Sequence, residues 1–513
     1  MAHDLTSIST LGALKDADYT PLTVKEELRK NLTTKLRAGE TIFPGIVGYD
    51  RTVIPQIQNA ILGQHDIILL GLRGQAKSRL IRMLPTLLDE HIPIIEGSPL
   101  NENPFEPITK HGREMVDEHG DDTPIDWIHR SERYGEKLAT PDTTIADLIG
   151  DIDPIKAANQ RLTYADEEVI HFGIIPRTNR GIFAINELPD LQPRIQVGLL
   201  NIMEEQDIQV RGFNIRFPLD VMMIFSANPE DYTSRGNLIT PLKDRIDSQI
   251  ITHYPKTIDV GLEITNQEAW QDRGGLPDAA SVDVQVPHCF REIIEQIAFE
   301  ARESEYIDQK SGVSVRVTRA ALEDLISAAE RRALLNGEDE TTVRVSDLML
   351  VEPAITGKVE LVYEGEQEGA QNVAFTLIGR AVRTLFTKYF PDPSVKDNRA
   401  AYKDVLSWFS EGNAVDLEQD LAFADYVKEL DRVDGLKQLV EEHTSPTSPA
   451  DKASMMEFVL EALHQNSLIG KEFDDGEQTY NDIMGSMLSS FGDGDFDDDD
   501  FDDDDDDLLS RYR

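Results

Sequence analysis

The first half of the chain alternates short, β-branched apolar runs with stretches of helical periodicity. Four of these runs have the length and composition of buried strands: DIILLG (66–71), IPIIEG (92–97), GIFAIN (181–186) and VMMIFSAN (221–228). Strands that alternate with helical stretches are typical of a parallel sheet covered by helices. The pattern therefore predicts one α/β domain over residues 25–255, after a flexible N-terminus over 1–24. A polar, charged segment over 101–142 breaks the pattern and is interpreted as an insertion.

After about residue 286 the apolar positions follow helical spacing only. One such run stops at Asn336-Gly337, which is typical of a helix C-terminus. Further helices are predicted over 369–390, 399–411, 420–442 and 451–466. The expected organisation of this half is a linker (256–286), a helical lid (287–360), a C-terminal helical region (361–485) and a disordered acidic tail (486–513).

Length and composition narrow the class of protein. At 513 residues the chain is too long for a single hydrophobic core. The one cysteine, Cys289, excludes a disulfide within the chain and is typical of a reducing compartment. We find no signal-peptide pattern, and no apolar run approaches the roughly 20 residues of a membrane span. We expect a soluble, cytoplasmic protein that does not insert into a membrane.

The chain is strongly acidic, with a net charge of −45 from 95 acidic and 50 basic residues. Such a surface repels phosphate backbones, so nucleic-acid binding is not expected. Twelve of the acidic residues are aspartates between Asp493 and Asp507. We interpret this tail as a disordered, solubilising segment. A docking segment for a basic partner and loose binding of divalent cations remain alternatives.

The strand at 66–71 runs into GLRGQAKS (71–78), which matches the phosphate-loop pattern G-x-x-x-x-G-K-[ST] except at Ala76. In such a loop the lysine neutralises the β- and γ-phosphates and the hydroxyl binds Mg²⁺, roles that fall on Lys77 and Ser78. An alanine fits if its φ is negative. A strand–helix turn with an incidental Lys-Ser is the alternative. The predicted nucleotide-binding residues here are Gly71, Arg73, Gly74, Gln75, Ala76, Lys77, Ser78 and Arg79.

Two other predicted strands end in polar residues, where parallel α/β folds place their sites. GIFAIN ends in Asn186, and Glu187 follows it. VMMIFSAN ends in Asn228, an amide that can orient an attacking water beside Glu187, although an asparagine in a turn before proline is the simpler interpretation. Downstream, Arg245 has the context of an arginine that reaches the γ-phosphate of a neighbouring subunit. A helix-end salt bridge is the alternative for Arg245, and Arg235 is a second candidate for its role.

The order of these segments resembles that of AAA+ ATPases, in the clade of the magnesium-chelatase I subunit and the MoxR-type ATPases. The segment FPGIVGYDRTVIPQIQNAIL is similar to the family's opening segment, which implies that Ile46, Val47 and Gly48 lie near the adenine. The segment DIQVRGFNIRFP (207–218) resembles the hairpin that precedes the sensor-1 strand. The likeness covers about 40–355. It implies an AAA+ P-loop core with a parallel sheet, an α-helical lid and, beyond it, further C-terminal helices.

The resemblance also implies roles for single residues. The segment GVSVRVTRAAL is similar to the start of the lid, which gives the sensor-2 role to Arg316, with Arg319 as a competitor and a solvated helix-start residue as the alternative. In the family the Walker B strand ends in Asp-Glu; the Asp holds Mg²⁺, often through water, and the Glu polarises the attacking water. Asn186 keeps an acceptor oxygen but removes one negative charge beside the cation. The implied cofactors are ATP and Mg²⁺, with Asn186 as an indirect metal partner, and the hypothesis is a competent ATPase slowed by weaker Mg²⁺ binding.

The function that the resemblance implies is a ring-forming ATPase that remodels a protein partner. An arginine acting in trans implies a homo-oligomer, and a hexamer is the family expectation. The expected partner is a separate protein with a von Willebrand factor A domain, because we find no D-x-S-x-S motif after a strand in this chain. One alternative is a magnesium-chelatase motor subunit that drives Mg²⁺ insertion into a porphyrin. Another is a nucleotide-gated scaffold with little or no hydrolysis; a nucleic-acid motor with Arg211 and Arg216 in its pore is disfavoured by the net charge.

Overall fold

A computed structural model describes residues 5–156, 166–210, 216–233, 238–273, 282–474 and 477–483. The chain divides into two compact units. The first contains the residues up to Glu268 together with Glu305–Val317 and Lys358–Val362. The second contains Ala269–Ser304, Thr318–Gly357 and the residues from Tyr363 onward. None of the described helices is long and apolar enough to cross a membrane.

Helices and strands alternate through the first unit. Its helices are α1 (Leu11–Asp16), α2 (Val24–Ala38), α3 (Val53–Leu62), α4 (Lys77–Met83), α5 (Lys110–His119), α6 (Ile145–Leu148), α7 (Ile174–Arg177), α8 (Pro193–Glu204), α9 (Pro229–Thr233), α10 (Thr240–Arg245) and α11 (Ile258–Glu268). Its strands are β1 (Ile67–Leu70), β2 (His91–Ile95), β3 (Ile125–His129), β4 (Tyr134–Leu138), β5 (Gly150–Ile152), β6 (Ile170–Phe172), β7 (Gly181–Asn186), β8 (Asp207–Gln209), β9 (Arg216–Pro218), β10 (Val221–Ala227) and β11 (Ser248–Ile251).

A five-stranded parallel sheet with the order β11-β1-β10-β7-β4 forms the centre of this unit. The continuous apolar run in β7 is buried on both faces, as in sheets covered by helices on each side. Ile182 and Ala184 pack into the core beneath α2, α3 and α4. Phe183 and Ile185 pack into the core on the opposite face, with α8 and α10. The sheet confirms the α/β class and the P-loop core expected from the sequence.

Two segments of this unit differ from the sequence-based expectation. The strand at 92–97 exists as β2, but it pairs antiparallel with β3 instead of joining the five-stranded sheet. The segment 101–142 is not an insertion outside the α/β pattern, because it contributes β3 and also β4, the strand next to β7. Its low apolar content concealed β4, an edge strand in which Gly135 is the one fully buried residue.

The N-terminal segment 1–24, expected to be flexible, is folded over the part that the structure describes. Helix α1 begins at a threonine N-cap, and it buries Leu11 and Leu14. Thr10 forms a β-bridge with Pro124, and the Trp127 indole donates to the Ile8 carbonyl at 2.8 Å. These contacts offset the entropy of ordering the segment.

The predicted hairpin at 207–218 is formed by β8 and β9, which pair antiparallel. Residues 211–215, including Arg211, lie outside the described residues. Arg216 on β9 pairs with Asp207 at 3.1 Å.

The second unit is mainly helical. Its strands are β12 (Asp283–Gln285), β13 (Glu340–Thr342), β14 (Val415–Glu418), β15 (Gly470–Asp474) and β16 (Glu477–Asn481). Its helices are α12 (His288–Glu303), α13 (Arg316–Asn336), α14 (Val345–Met349), α15 (Glu352–Thr356), α16 (Tyr363–Glu368), α17 (Ala370–Tyr389), α18 (Lys403–Ser410), α19 (Phe423–Asp431), α20 (Leu436–His443) and α21 (Pro449–Gln465). The first two residues of α13, Arg316 and Val317, belong to the first unit.

Helices from both sides of residue 360 pack together in this unit, with α12 against α17 and α17 against α21. A buried ion pair between Arg332 and Asp347 ties α13 to α14. The division into compact units therefore lies elsewhere than the expected boundaries at 286 and 360. The expected linker over 256–286 also begins with a helix, α11. The described residues end at 483, so the expected acidic tail over 486–513 lies outside them.

Candidate functional site

The phosphate loop lies at the carboxyl edge of the five-stranded sheet. In the register of the sheet, Leu70 is paired with Ala227 on one side and with Ile251 on the other. The residues that follow these three strands therefore meet at one edge, where open α/β sheets bind ligands. On this edge are the loop that starts at Gly71 and the polar residue Asn228.

Side chains inside the first unit hold the loop in shape. The buried Gln75 side chain turns back, and its Oε1 accepts from the Leu72 amide at 3.1 Å and from the Thr252 hydroxyl at 2.7 Å. Two tyrosines fix loop carbonyls: Tyr49 donates to the Gln75 carbonyl at 3.0 Å, and Tyr254 donates to the Arg73 carbonyl at 2.9 Å. The loop conformation is therefore set by protein contacts.

Ala76 adopts a left-handed backbone conformation, with φ 57° and ψ 16°. The sequence-based expectation of a negative φ is wrong at this position. The loop requires the conformation that the second glycine of the pattern usually supplies, and an L-residue adopts it at a cost of about 1–2 kcal/mol. Gly74 also has a positive φ, 76°, and a Cβ there would lie 2.1 Å from the Ser314 hydroxyl.

Lys77 begins α4 and lies at the centre of the loop. Its side-chain amine donates to the carbonyl of Gly71, to the carbonyl of Leu72 at 3.1 Å and to Asn228 Oδ1 at 3.4 Å. Burial lowers the pKa of Lys77, and the charge of Glu187 opposes that shift. The structure thus brings together Lys77, Asn228 and Glu187, three residues predicted from separate segments.

Glu187 has a strained backbone, with φ 52° in the left-handed region. Its amide donates to the Ser226 hydroxyl at 3.3 Å. Burial raises the pKa of Glu187, the Lys77 charge lowers it, and Asp190 and Asp231 raise it. A strained, partly desolvated carboxylate beside a lysine is a typical feature of a catalytic position.

Asn186 is buried, with 8 % of its surface exposed, and both ends of its amide are bonded. Nδ2 donates to Glu136 Oε1 at 2.5 Å, and Oδ1 accepts from the Ser226 hydroxyl at 3.0 Å. The carboxylate of Glu136 thus lies directly against the position where the family has its aspartate.

A pocket opens beside the loop. The predicted adenine residues Ile46, Val47 and Gly48 line it, together with loop residues 74–76 and Arg79. Further lining side chains, which sequence reasoning missed, are Tyr49, His253, Tyr254, Val260, Ile264, Gln267 and Val315. The lining is largely apolar with few polar groups, which suits a nucleobase, because small-molecule sites are typically apolar clefts with a few placed polar groups.

The missed residues after β11 had a signal in the sequence. The apolar pair Ile250-Ile251 is followed by Thr252 and His253, the pattern of a strand that delivers polar side chains to the same edge. The strand is short, and its apolar pair was too brief to predict it.

The arginines predicted for the site occupy different places. Arg316 is exposed at the start of α13, beside Val315 of the cavity wall. Arg73 pairs with Glu360 at 2.9 Å, and Arg79 pairs with Glu268. Arg245 donates to Glu204 Oε2 at 2.7 Å at the end of α10. Arg235 lies outside the described residues.

Arg245 is at the opposite edge of the sheet from the loop. It lies three residues before Ser248, the first residue of β11, and Ser248 is paired with Ile67 at the start of β1. The strands span about 10 Å at a rise of about 3.3 Å per residue, and the loop follows their other end. Arg245 therefore lies at the end of the sheet away from the nucleotide edge of its own chain, where it bonds to Glu204.

The donor set for a cation is small. The described residues contain no group of three or more His, Cys, Asp or Glu side chains that could hold a metal ion. Ser78 is exposed in the first turn of α4. Mg²⁺ keeps several waters and is usually held by substrate phosphates and one or two protein oxygens, so this sparse set fits a nucleotide-bound Mg²⁺.

Comparison with known proteins identifies relatives for part of the chain. Residues 129–246 match the AAA domain family, dynein-related subfamily. The chain is 26% identical over 238 residues to the magnesium-chelatase 38 kDa subunit of Cereibacter sphaeroides, which covers 44% of this chain and 64% of that protein. It is 23% identical over 205 residues to the magnesium-chelatase 67 kDa subunit of Heliobacterium mobile, covering 39% of this chain and 29% of that protein.

Among solved structures, the complex between subunits BchI and BchD of magnesium chelatase is similar at 18% identity, covering 64% of this chain and 98% of that chain. Its TM-score of 0.32 is too low for a comparison of geometry. The matches span less than two thirds of the length of both curated relatives.

Proposed function

We propose that this chain, an AAA+ ATPase by its match to the AAA domain family and its likeness to magnesium-chelatase subunits, assembles into a ring and hydrolyses ATP between subunits. A hexamer is the family's expectation. The observation that carries this proposal is the position of Arg245. An arginine at the edge of the sheet opposite to the phosphate loop can act only on a nucleotide held by another chain.

The chemistry follows from the groups around the loop. Loop N–H groups and the Lys77 amine bind the phosphates, once Lys77 exchanges its bonds to loop carbonyls for phosphate oxygens. Glu187 accepts a hydrogen bond from the attacking water, and Asn228 fixes the orientation of that water. Ser78, and Asn186 indirectly, would hold a nucleotide-bound Mg²⁺, which would supply positive charge beside the phosphates.

The exposed Arg316 sits beside the cavity, and it supports the proposed sensor-2 contact to the γ-phosphate. The neighbouring subunit's copy of Arg245 supplies the second arginine. To do so, Arg245 exchanges its ion pair with Glu204 for the phosphate. That partly exposed pair is a weak interaction, so the exchange costs little.

The cycle is proposed to drive remodelling of a protein partner, a separate protein with a von Willebrand factor A domain. A second candidate has its own support: both curated relatives are magnesium-chelatase subunits. In that case the chain is the motor for Mg²⁺ insertion into a porphyrin. Stimulation of chelation by the full chain, added to the other chelatase subunits, separates the two candidates.

The shared site is tested by mixing two inactive variants. Glu187→Gln removes the water-orienting carboxylate, and Arg245→Ala removes the arginine acting in trans. Turnover per subunit should rise with protein concentration in the wild type and fall at least 10³-fold in each variant. In a mixture, an Arg245→Ala chain that binds ATP beside a Glu187→Gln chain has a complete site, so activity should return in part.

Arg331→Ala is the matched control, since Arg331 is an exposed arginine paired with Asp420 in the second unit. It should retain wild-type turnover. Concentration-independent turnover with no recovery on mixing would refute the trans arrangement. Tight ATP binding without turnover at any concentration would support a nucleotide-gated scaffold instead.

A further inference from the structure

Arg82, Tyr134 and Glu136 form a polar cluster around Asn186, and the proposed chemistry gives these three residues no role. Asn186 donates from Nδ2 to Glu136 at 2.5 Å and accepts at Oδ1 from Ser226 at 3.0 Å. Glu136 also accepts two bonds from Arg82, at 2.9 and 3.0 Å, and one from the Tyr134 hydroxyl at 3.0 Å. We call Arg82, Glu136 and Asn186 the Asn186 cluster.

The sheet register explains why these groups meet. Glu136 on β4 is paired with Ala184 on β7, two residues before Asn186. Side chains two apart on a strand share a face, so Glu136 and Asn186 project from the same face as diagonal neighbours. Ala184 packs in the core beneath α4, and Arg82 lies on α4, one turn after Ser78.

The hydrogen-bonding chemistry fixes the polarity of the pair. An ionised carboxylate only accepts, and the amide nitrogen of asparagine only donates. Arg82 donates two hydrogen bonds to Glu136, and a charge-assisted pair of this kind favours the ionised carboxylate. An aspartate at position 186 would instead place two carboxylates in contact, an arrangement in which both cannot remain charged.

We propose that Glu136 is a positioning residue for the metal side of the nucleotide site: it fixes the Asn186 amide and supplies the negative charge that the family carries at position 186. This inference rests on the ATPase function proposed above. In this arrangement Asn186 is not a weakened aspartate. The carboxylate lies on the neighbouring strand, as Glu136 of β4, instead of at position 186. The Asn186 amide connects this carboxylate to Ser226 at the carboxyl edge of the sheet.

The two interpretations predict opposite effects of restoring the family's residue. If Asn186 is a weakened aspartate, Asn186→Asp alone improves metal binding, and Glu136→Gln has no effect. If the two side chains act as a pair, each single substitution weakens metal binding. The double variant Asn186→Asp/Glu136→Gln then recovers it, because the carboxylate and the amide have only exchanged places.

The experiment measures binding of a fluorescent ATP analogue to the full chain, at a series of Mn²⁺ concentrations and in EDTA, with thermal unfolding alongside. Glu136→Gln should raise the Mn²⁺ midpoint about tenfold, as loss of an outer-shell partner typically does. Asn186→Asp should also raise the Mn²⁺ midpoint and should lower the unfolding temperature, because it places two carboxylates in contact. The double variant should return the midpoint to within about threefold of the wild type, because the effects of two contacting residues do not add.

Glu132→Gln is the control for loss of one negative charge, because Glu132 is exposed in the turn before β4. It should match the wild type. A lower Mn²⁺ midpoint in Asn186→Asp alone, or additive losses in the double variant, would overturn the proposed pairing while wild-type ATP binding and turnover stand. Absence of nucleotide binding by the wild type would overturn the ATPase proposal and this inference together. If Glu136→Gln does not fold, the comparison of Asn186→Asp with the double variant still decides.

Discussion

The side chain of Gln75 locks the phosphate loop, and Gln75→Met tests how much that lock contributes. The substitution keeps the length and approximate volume of the side chain, so it introduces little cavity or overpacking cost. It removes the oxygen that accepts from the Leu72 amide and from the Thr252 hydroxyl. The loop then loses the side-chain contact that holds the Leu72 amide.

The size of the stability loss depends on whether each of the two donors has another hydrogen-bond acceptor. The Thr252 hydroxyl has a second acceptor, the Leu70 carbonyl at 3.3 Å, so its loss is small. The Leu72 amide has no replacement partner within the loop, and an unpaired, partly buried donor costs about 1–3 kcal/mol. Because Leu72 is not fully buried and water can reach it, we expect the free energy of unfolding to fall by about 1–2 kcal/mol.

Urea unfolding and titration with a fluorescent ATP analogue measure the two consequences. We expect the free energy of unfolding to fall by about 1–2 kcal/mol. We also expect an approximately tenfold weaker nucleotide affinity, because binding must then order the loop, and a factor of ten in affinity corresponds to about 1.4 kcal/mol. Thr252→Val is the matched control: it removes one donor, keeps the Gln75–Leu72 bond, and should change both quantities less. Unchanged nucleotide affinity in Gln75→Met would refute the idea that this side chain preorganises the loop.

Three further predictions concern strain and titration. Ala76→Gly should stabilise the chain by about 0.5 kcal/mol, because relief of about 1–2 kcal/mol of left-handed strain exceeds the added flexibility of the unfolded chain. Gly39→Ala is the control, because Gly39 has φ 69° in open space and an alanine there should destabilise the chain by a comparable strain energy. Urea unfolding of both variants checks the two signs. Burial raises the pKa of Glu187, so the folded chain binds more protons there than the unfolded chain, and the free energy of unfolding falls as pH rises through that pKa. Glu187→Gln removes this loss, so its stability relative to the wild type should increase from about pH 4.5 to about pH 7.5 in urea unfolding. No increase would contradict the prediction. Burial raises the pKa of Asp220 to about 6 from 3.8. The free energy of unfolding of Asp220→Asn, relative to that of the wild type, should therefore increase by up to about 3 kcal/mol from about pH 3.5 to about pH 7.5. Urea unfolding of both proteins at the two pH values measures the difference.

Periodicity located the elements whose residues repeat, and it failed where an element is short or polar. Strands β1, β7 and β10 are continuous apolar runs, so the sequence identifies them. Strand β4, with the sequence Tyr-Gly-Glu-Lys-Leu, has no apolar run, and it joins the sheet by pairing with β7, which is distant in sequence. Helix α1 is one and a half turns long, and it is stable because Leu11 and Leu14 are buried, not because of its own propensity.

The candidate site shows the same limit at the level of single residues. The pattern at 71–78 identifies the loop, but the hydrogen bonds that shape it come from residues 49, 252 and 254, which no motif marks. The positive φ of Ala76 also follows from the loop geometry, which a one-dimensional pattern does not contain.

Asn186 shows why a substitution in a motif cannot be judged from the motif alone. Taken by itself, the change from Asp to Asn removes a charge, and it predicts a weaker site. In the structure a carboxylate is bonded to that same amide, so the charge near position 186 depends on Glu136 as well. A parallel sheet makes such an exchange possible, because diagonal positions on neighbouring strands lie on one face and within hydrogen-bond reach of each other. The consequence for a related chain is that an Asn at the end of this strand should be weighed together with the residue that its neighbouring strand places diagonally beside it.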